Sequence, residues 1–506
     1  MSRAGKTTIN SIVGLTCSVI SSVLSFVLQA FFIRLLGLEY SGINSLFSGI
    51  LSMLNIAELG VSNAILFRLY RTIASGDEER TRMYLSTYRK ICYVVASVIG
   101  ISGLCCIPFL DKLVNKVPTF PESLWSLFVI VLATSVLQHL WDYKNIYTIA
   151  KQDRYISTLI NYGCVFLCHG LQIFALAAFK NIYLFLVIKF ATTALNGLLN
   201  GIVAKKKYNI YWKSDKKISK NEIKVLTKDV GSLAFYKFCR TLDATIDTFI
   251  ISKFIDVATT AIYGSTSLLL NALNELLGTF NDGMIASIGD LYASKDKKNV
   301  ASVFYQAQHF TFLLYGIVTA TLTPILAAVT QLWIGYRLSD ISIYIMLVNF
   351  YMYGLGMNIA TFRNSMGLFI KGWKRPAVTA FLNLVFSVLL ASKLGLIGTL
   401  LGTLLARCFT LVWYDPYIVI KCGMDEKVWK YYIRYFLYLI ITFFISVVLL
   451  FCSRILHEMN SFIWIVFDGV LLGLISTGLF LLLGSIIPEQ RQVLNRMVVL
   501  VKKVLR

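Results

Sequence analysis

Charge is scarce in this sequence. Only 15% of its 506 residues are Asp, Glu, Lys or Arg, against about 25% in an ordinary soluble domain. Proline is scarcer still, at seven residues, while 57% of the chain is hydrophobic and the mean hydropathy is +0.70. Too little proline and charge exclude a disordered or Pro-rich scaffold, and a soluble core has no use for so much apolar surface. Acidic residues are the minority sign, 26 against 48 basic, for a net charge of +22. The basic residues fall between long apolar runs and form no aromatic-interleaved stripe, which argues against nucleic acid.

Catalytic and metal signatures are missing as well. The four histidines, His139, His169, His309 and His457, are scattered, with no HExxH, no Ser-His-Asp order and no Walker sequence. Gly5-Lys6-Thr7 lacks the upstream glycine and the strand of a P-loop. The ten cysteines lie mostly inside apolar stretches without a CxxC. Cys164 and Cys168 beside His169 sit one helical turn apart, but small packing residues explain them more simply than a metal. The sequence predicts a non-enzyme, without disulfides, metal or organic cofactor.

What is present is a succession of apolar segments long enough to cross a bilayer, each of about 20 residues. They predict an all-α polytopic membrane protein with spans near 9–35, 43–70, 84–110, 122–149, 154–179, 181–204, 229–254, 259–289, 301–333, 341–369, 375–392, 395–422, 428–454 and 460–486. The basic N-terminus runs into the first span without an A-x-A site and reads as a retained span. With that terminus inside, 35 Lys and Arg fall in inner connections, 8 in outer ones and 5 within spans. This asymmetry predicts both termini in the cytoplasm.

The chain also repeats itself. LSMLNIAELGVSNAILFRLYRTIASGDEER aligns with LLLNALNELLGTFNDGMIASIGDLYASKDKKN about six spans later, setting Glu58 opposite Glu275. An even separation keeps both copies in the same orientation. Two parallel six-helix lobes about a central cavity follow, with alternating access as the expected motion. The expected divisions are an N-lobe at 1–204, a Lys-rich cytoplasmic linker at 205–228, a C-lobe at 229–422, and two further helices with a cytoplasmic tail at 423–506.

Charges inside spans are costly, so each is a functional candidate. Lys237, Arg240, Asp243 and Asp247 share the seventh span. The last three fall on one helical face, either as an Arg that meets an anionic cargo beside carboxylates that bind a coupling proton or Na+, or as an internal ion pair. Lys144, Arg363 and Arg407 form a second basic group, and arginine offers phosphate a bidentate fork. Lys144 stands near a cytoplasmic boundary, and Arg407 has snorkelling or pairing as its alternative. Lys189 is alone in the sixth span. Arg34 closes the first, as a gate residue or an interfacial anchor. Asn55, Asn63, Asn271, Asn274 and Asn281 make the same helices polar, as a sugar-contacting wall or as interhelical glue.

Arg34-Leu35-Leu36-Gly37-Leu38-Glu39-Tyr40-Ser41-Gly42, followed by Ala57-Glu58-Leu59-Gly60, resembles the start of bacterial polysaccharide repeat-unit flippases of the Wzx type. That superfamily also holds the MATE drug exporters and the lipid II flippases. The likeness continues through Tyr143-Lys144 with YTIAKQDRYI, Asp247 with FIISKF, Phe362-Arg363-Asn364-Ser365, and Gly398-Thr399 with Trp413 and Pro416. One departure is Lys151-Gln152-Asp153, where the family tends to an acidic-Gln-basic order. The resemblance implies fourteen spans in a cytoplasmic membrane and an undecaprenyl-pyrophosphate-linked oligosaccharide as cargo. It also implies service in capsule or surface-polysaccharide synthesis, with a polysaccharide polymerase as a candidate partner. A MATE-like cation-coupled antiporter is the competing expectation, and its cavity would be net acidic. A membrane polymerase or glycosyltransferase would need a larger extramembrane loop or domain than this chain offers.

Overall fold

The computed structural model describes residues 3–55, 61–115, 120–208, 218, 220–293, 297–368, 372, 374–456 and 461–492, and these are helical with no β-strand among them. In chain order the helices are α1 (Arg3–Leu36), α2 (Leu38–Leu54), α3 (Val61–Ala74), α4 (Glu78–Cys106), α5 (Leu124–Trp141), α6 (Tyr143–Ala150), α7 (Arg154–Phe179) and α8 (Ile182–Tyr208). They continue with α9 (Lys220–Phe254), α10 (Val257–Ala293), α11 (Lys297–Ile334), α12 (Asp340–Ser365), α13 (Arg375–Phe409), α14 (Tyr414–Tyr417), α15 (Val428–Ser453) and α16 (Phe462–Gly484).

Ten segments among the described residues are long and apolar enough to cross a membrane. One of these, Arg375–Met424, holds two crossings. Gly395 takes φ 58°, a left-handed conformation that suits glycine, and the chain doubles back there. Ser387 Oγ then donates to the Thr399 carbonyl at 3.1 Å, and Thr403 Oγ1 to Asn383 Oδ1 at 3.0 Å, knotting the two arms together. α2 is short, and α9 and α10 carry charged or polar residues along their length. These three occupy the remaining segments where the sequence predicts spans, at 43–70, 229–254 and 259–289.

The chain forms two compact units, Met1–Ala261 and Ile262–Arg506. α9 packs along α2 and α3 in the first unit, where Phe249 and Thr248 lie against Gly49. The first unit has two cores. Phe32, Ile43, Leu46, Phe47, Phe128 and Leu176 fill one, while Ile65, Leu69, Tyr84, Tyr88, Tyr143 and Ile146 fill the other. The second unit packs α11, α12, α15 and α16 around Phe304, Phe312, Tyr315, Phe362, Tyr438 and Phe480. Phe443, Phe451, Leu474 and Leu482 on α15 and α16 are exposed. In a membrane their natural contact is acyl chain, so no soluble partner is needed to cover them.

The inverted Lys151-Gln152-Asp153 turn has a defined mechanical role. Gln152 takes φ 62° between α6 and α7. Asn10 of α1 clamps this turn from both sides, donating from Nδ2 to the Gln152 carbonyl at 3.1 Å and accepting the Tyr155 N–H at 2.7 Å. The buried Asp153 carboxylate accepts from the Tyr208 hydroxyl at 2.7 Å and lies 3.7 Å from Lys207 Nζ. An acid in this third position therefore draws in the basic end of α8.

Candidate functional site

In the first unit α2 ends at Leu54 and α5 at Trp141. The ends of these two helices meet. Asn55, which caps α2, accepts at Oδ1 from Ser135 Oγ and from His139 Nε2, both at 3.0 Å. His139 Nδ1 lies 3.6 Å from Asp142 Oδ2 at the junction of α5 and α6.

Just below, α8 offers two glycines one turn apart. Gly197 receives the Trp141 ring, which occupies the space a Cβ would need. Gly201 admits Lys144, whose side chain would come within 3.1 Å of a Cβ there. Lys144 Nζ sits 3.9 Å above the centre of the Trp141 ring. This half-buried ammonium is held by a cation–π contact.

On α9, Arg240 is exposed, Lys237 and Asp243 are half-buried, and Asp247 is buried. The face the sequence predicts is thus graded, with its basic end outermost and its acid innermost. Neighbouring α2 exposes Ser48 and Ser52, whose hydroxyls donate to carbonyls one turn back, at 2.8 and 2.7 Å. Arg34 is exposed at the end of α1. Lys189 on α8 is exposed too, apart from the Asn55–His139 cluster.

The second unit carries its own polar stripe. Asn271, Glu275 and Thr279 of α10 are exposed and four residues apart, so they share one face. Arg363 and Arg407 do different work. Arg363 is 1% exposed and Asp415 fully buried, with Nη1 donating to Oδ1 and Oδ2 at 3.0 and 3.1 Å. Arg375 Nε lies 3.0 Å from the same carboxylate, and a Cβ at Gly372 would come within 3.1 Å of Arg363 Nη1. The trio ties the end of α12, the start of α13 and α14 together. Arg407 Nη1 donates to the carbonyl and the Oδ1 of Asn349, at 3.1 and 3.2 Å, and its guanidinium overlies the Tyr353 ring. It pairs α13 with α12 and does not snorkel.

Glu58 lies outside the described residues, as do the side chains of Asn63 and Asn281. His139, Asp142 and Asp415 were not among the residues the sequence singled out. The one available signal was Asp142-Tyr143-Lys144 interrupting an otherwise apolar span. Among the described residues no group of three or more His, Cys, Asp or Glu is placed to hold a metal.

No family model matches the sequence, and no curated protein matches it. Solved structures match the fold. The lipid II flippase MurJ in an inward closed conformation superposes with a TM-score of 0.71 at 12% identity, over 93% of this chain and 98% of its own. An inward-facing multidrug resistance MATE family transporter of the MOP superfamily gives 0.60 at 15% identity, over 79% of this chain and 96% of its own. A MOP superfamily transporter from Pyrococcus furiosus, described by the reverse polarity of its binding pocket, gives 0.53 at 14% identity, over 81% and 93%. The chain therefore shares the polytopic helical fold of these structures.

Proposed function

We propose that the protein is a flippase for undecaprenyl-pyrophosphate-linked oligosaccharide repeat units. It would carry them from the inner to the outer face of the cytoplasmic membrane by alternating access, with both termini in the cytoplasm. The observation that carries this reading is the extent of the fold match. The lipid II flippase covers 93% of the chain, whereas the MATE transporter covers 79%, so the likeness to a mover of lipid-linked saccharide extends over more of the molecule. Charge supports it. Arg240, Lys144 and Arg34 offer fixed positive groups on the first unit, as an anionic pyrophosphate requires. The exposed amide and hydroxyl stripes of α2 and α10 suit a sugar.

In this reading Arg363 and Arg407 brace the cargo path and do not touch the cargo. Asp243 and Asp247 remain candidates for a coupling ion, and a polysaccharide polymerase is the natural consumer of the product. The test is made in cells lacking the gene, by measuring lipid-linked repeat units on each membrane face. Wild type should release units trapped on the inner face, and Arg240→Ala should not. Unchanged lipid-linked sugars with altered resistance to cationic drugs would instead establish the antiporter.

A further inference from the structure

The His139 ring is 4% exposed and hydrogen-bonded through Nε2. An amide oxygen has two lone pairs, and Asn55 Oδ1 gives them to Ser135 Oγ and His139 Nε2. Nε2 therefore carries a hydrogen, and Nδ1 is the atom left to gain or lose one. Nδ1 faces the Asp142 carboxylate at 3.6 Å, whose side chain is 26% exposed. The carboxylate thus reaches solvent-accessible surface while the imidazole behind it does not. Other ionisable groups on the neighbouring elements are named here among the described residues, and Glu58, three residues beyond Asn55, lies outside them. α4 brings Arg89 and Tyr93, with the Arg89 guanidinium over the Tyr93 ring and that ring edge-on to Tyr143, together with the buried Cys92. α6 brings Tyr143 and Lys144, the latter over Trp141. From α3, Arg68 turns to the Tyr84 hydroxyl and Arg71 to the Phe67 ring. α8 presents Gly197 and Gly201 here, and α2 presents Asn55.

We propose that His139 and Asp142 form a proton-binding site of the first unit. A hydronium ion gives its proton to Nδ1, so that one of its O–H bonds breaks and an N–H bond forms, the Asp142 carboxylate at 3.6 Å being too far for a direct transfer. The imidazolium is then offset by the carboxylate beside it. Since the ring joins the cap of α2 to the junction of α5 and α6, its charge changes the bond between two helix ends. That gives proton binding a direct grip on the conformation of both. The use of this proton to drive transport rests on the flippase reading above; the binding of the proton does not.

Full-length protein labelled with 15N-histidine in lipid nanodiscs, without cargo, provides the test, because the chain has four histidines and His139→Gln assigns the signal. Gln keeps an N–H to offer Asn55. Between about pH 5 and 9, a range that brackets the ordinary histidine value, Nε2 should remain protonated while Nδ1 gains a proton in one step. Asp142→Asn should move the midpoint by about one unit, a tenfold change in proton affinity. A neutral ring with its hydrogen on Nδ1, no titration in this range, or a midpoint indifferent to Asp142 would overturn the site. In proteoliposomes, a pH gradient should drive a fluorescent undecaprenyl-pyrophosphate-linked saccharide across the membrane with wild type and not with His139→Gln. Equal movement by both proteins would sink the coupling role. No movement by wild type would count against the flippase reading, while the titration stood.

Discussion

Arg363 and Asp415 form a buried ion pair with two hydrogen bonds from one guanidinium nitrogen, 52 residues apart in sequence and with almost no solvent access to either side chain. Arg375 approaches the same carboxylate. Removing one partner of a buried pair typically costs about 3–5 kcal/mol, because the other charge is left in a medium that cannot solvate it. Asp415→Asn strands two arginines, whereas Arg363→Met leaves Asp415 with Arg375. The first variant should lose more thermal stability in detergent than the second. Arg363→Met with Asp415→Leu should recover part of the loss. Equal melting temperatures for wild type and Asp415→Asn would refute the brace.

Arg240 and Lys144 should behave in the opposite way. Arg240 is exposed, and Lys144 leans on Trp141 by a cation–π contact worth about 0.5–2 kcal/mol. Arg240→Ala and Lys144→Met should keep expression and melting temperature near wild type while lipid-linked saccharide collects on the inner membrane face. A melting curve and a lipid-sidedness assay on the same preparations separate these residues from Arg363.

Gly197 should tolerate no larger side chain, since the Trp141 ring fills the space of its missing Cβ. Gly197→Ala forces the ring or α8 to shift, and overpacking of this kind costs about 1–3 kcal/mol. Trp141→Leu in the same chain should relieve part of that loss, which a double-mutant cycle of thermal melts would register.

Asn10 fastens α1 to the turn before α7 with two hydrogen bonds. Asn10→Ala removes both, at about 0.5–1.5 kcal/mol each. Faster amide hydrogen exchange should appear at Tyr155, whose N–H loses its acceptor, and in the turn at 151–153. Exchange at the knot between Asn383, Ser387 and Thr403 should not change.

Much of the fold was legible from a few residues. The 375–392 and 395–422 spans were separable because Lys393 interrupts the apolar run, and the structure turns the chain back two residues later, at Gly395. The candidate site was legible only in part. Arg363 stood out as a charge within a span, yet nothing local marked Asp415, 52 positions later, as its partner. His139 looked like one of four scattered histidines until the ends of α2 and α5 were brought together. Arg407 could be recognised as costly but not as paired, because its acceptors are the carbonyl and amide of Asn349 on another helix.

The sequence by itself determined that this is a helical membrane protein and where its apolar segments lie. Those properties follow from the transfer of side chains out of water, which each segment makes on its own account. Only the tertiary structure decided which intramembrane charges brace the fold, since that depends on the neighbour each charge meets. Asp415 meets Arg363 and Arg375, Asp142 meets His139, and Lys144 meets Trp141 over the gap at Gly201. A buried charge takes its role from the partner that offsets its lost hydration, and packing between helices supplies that partner.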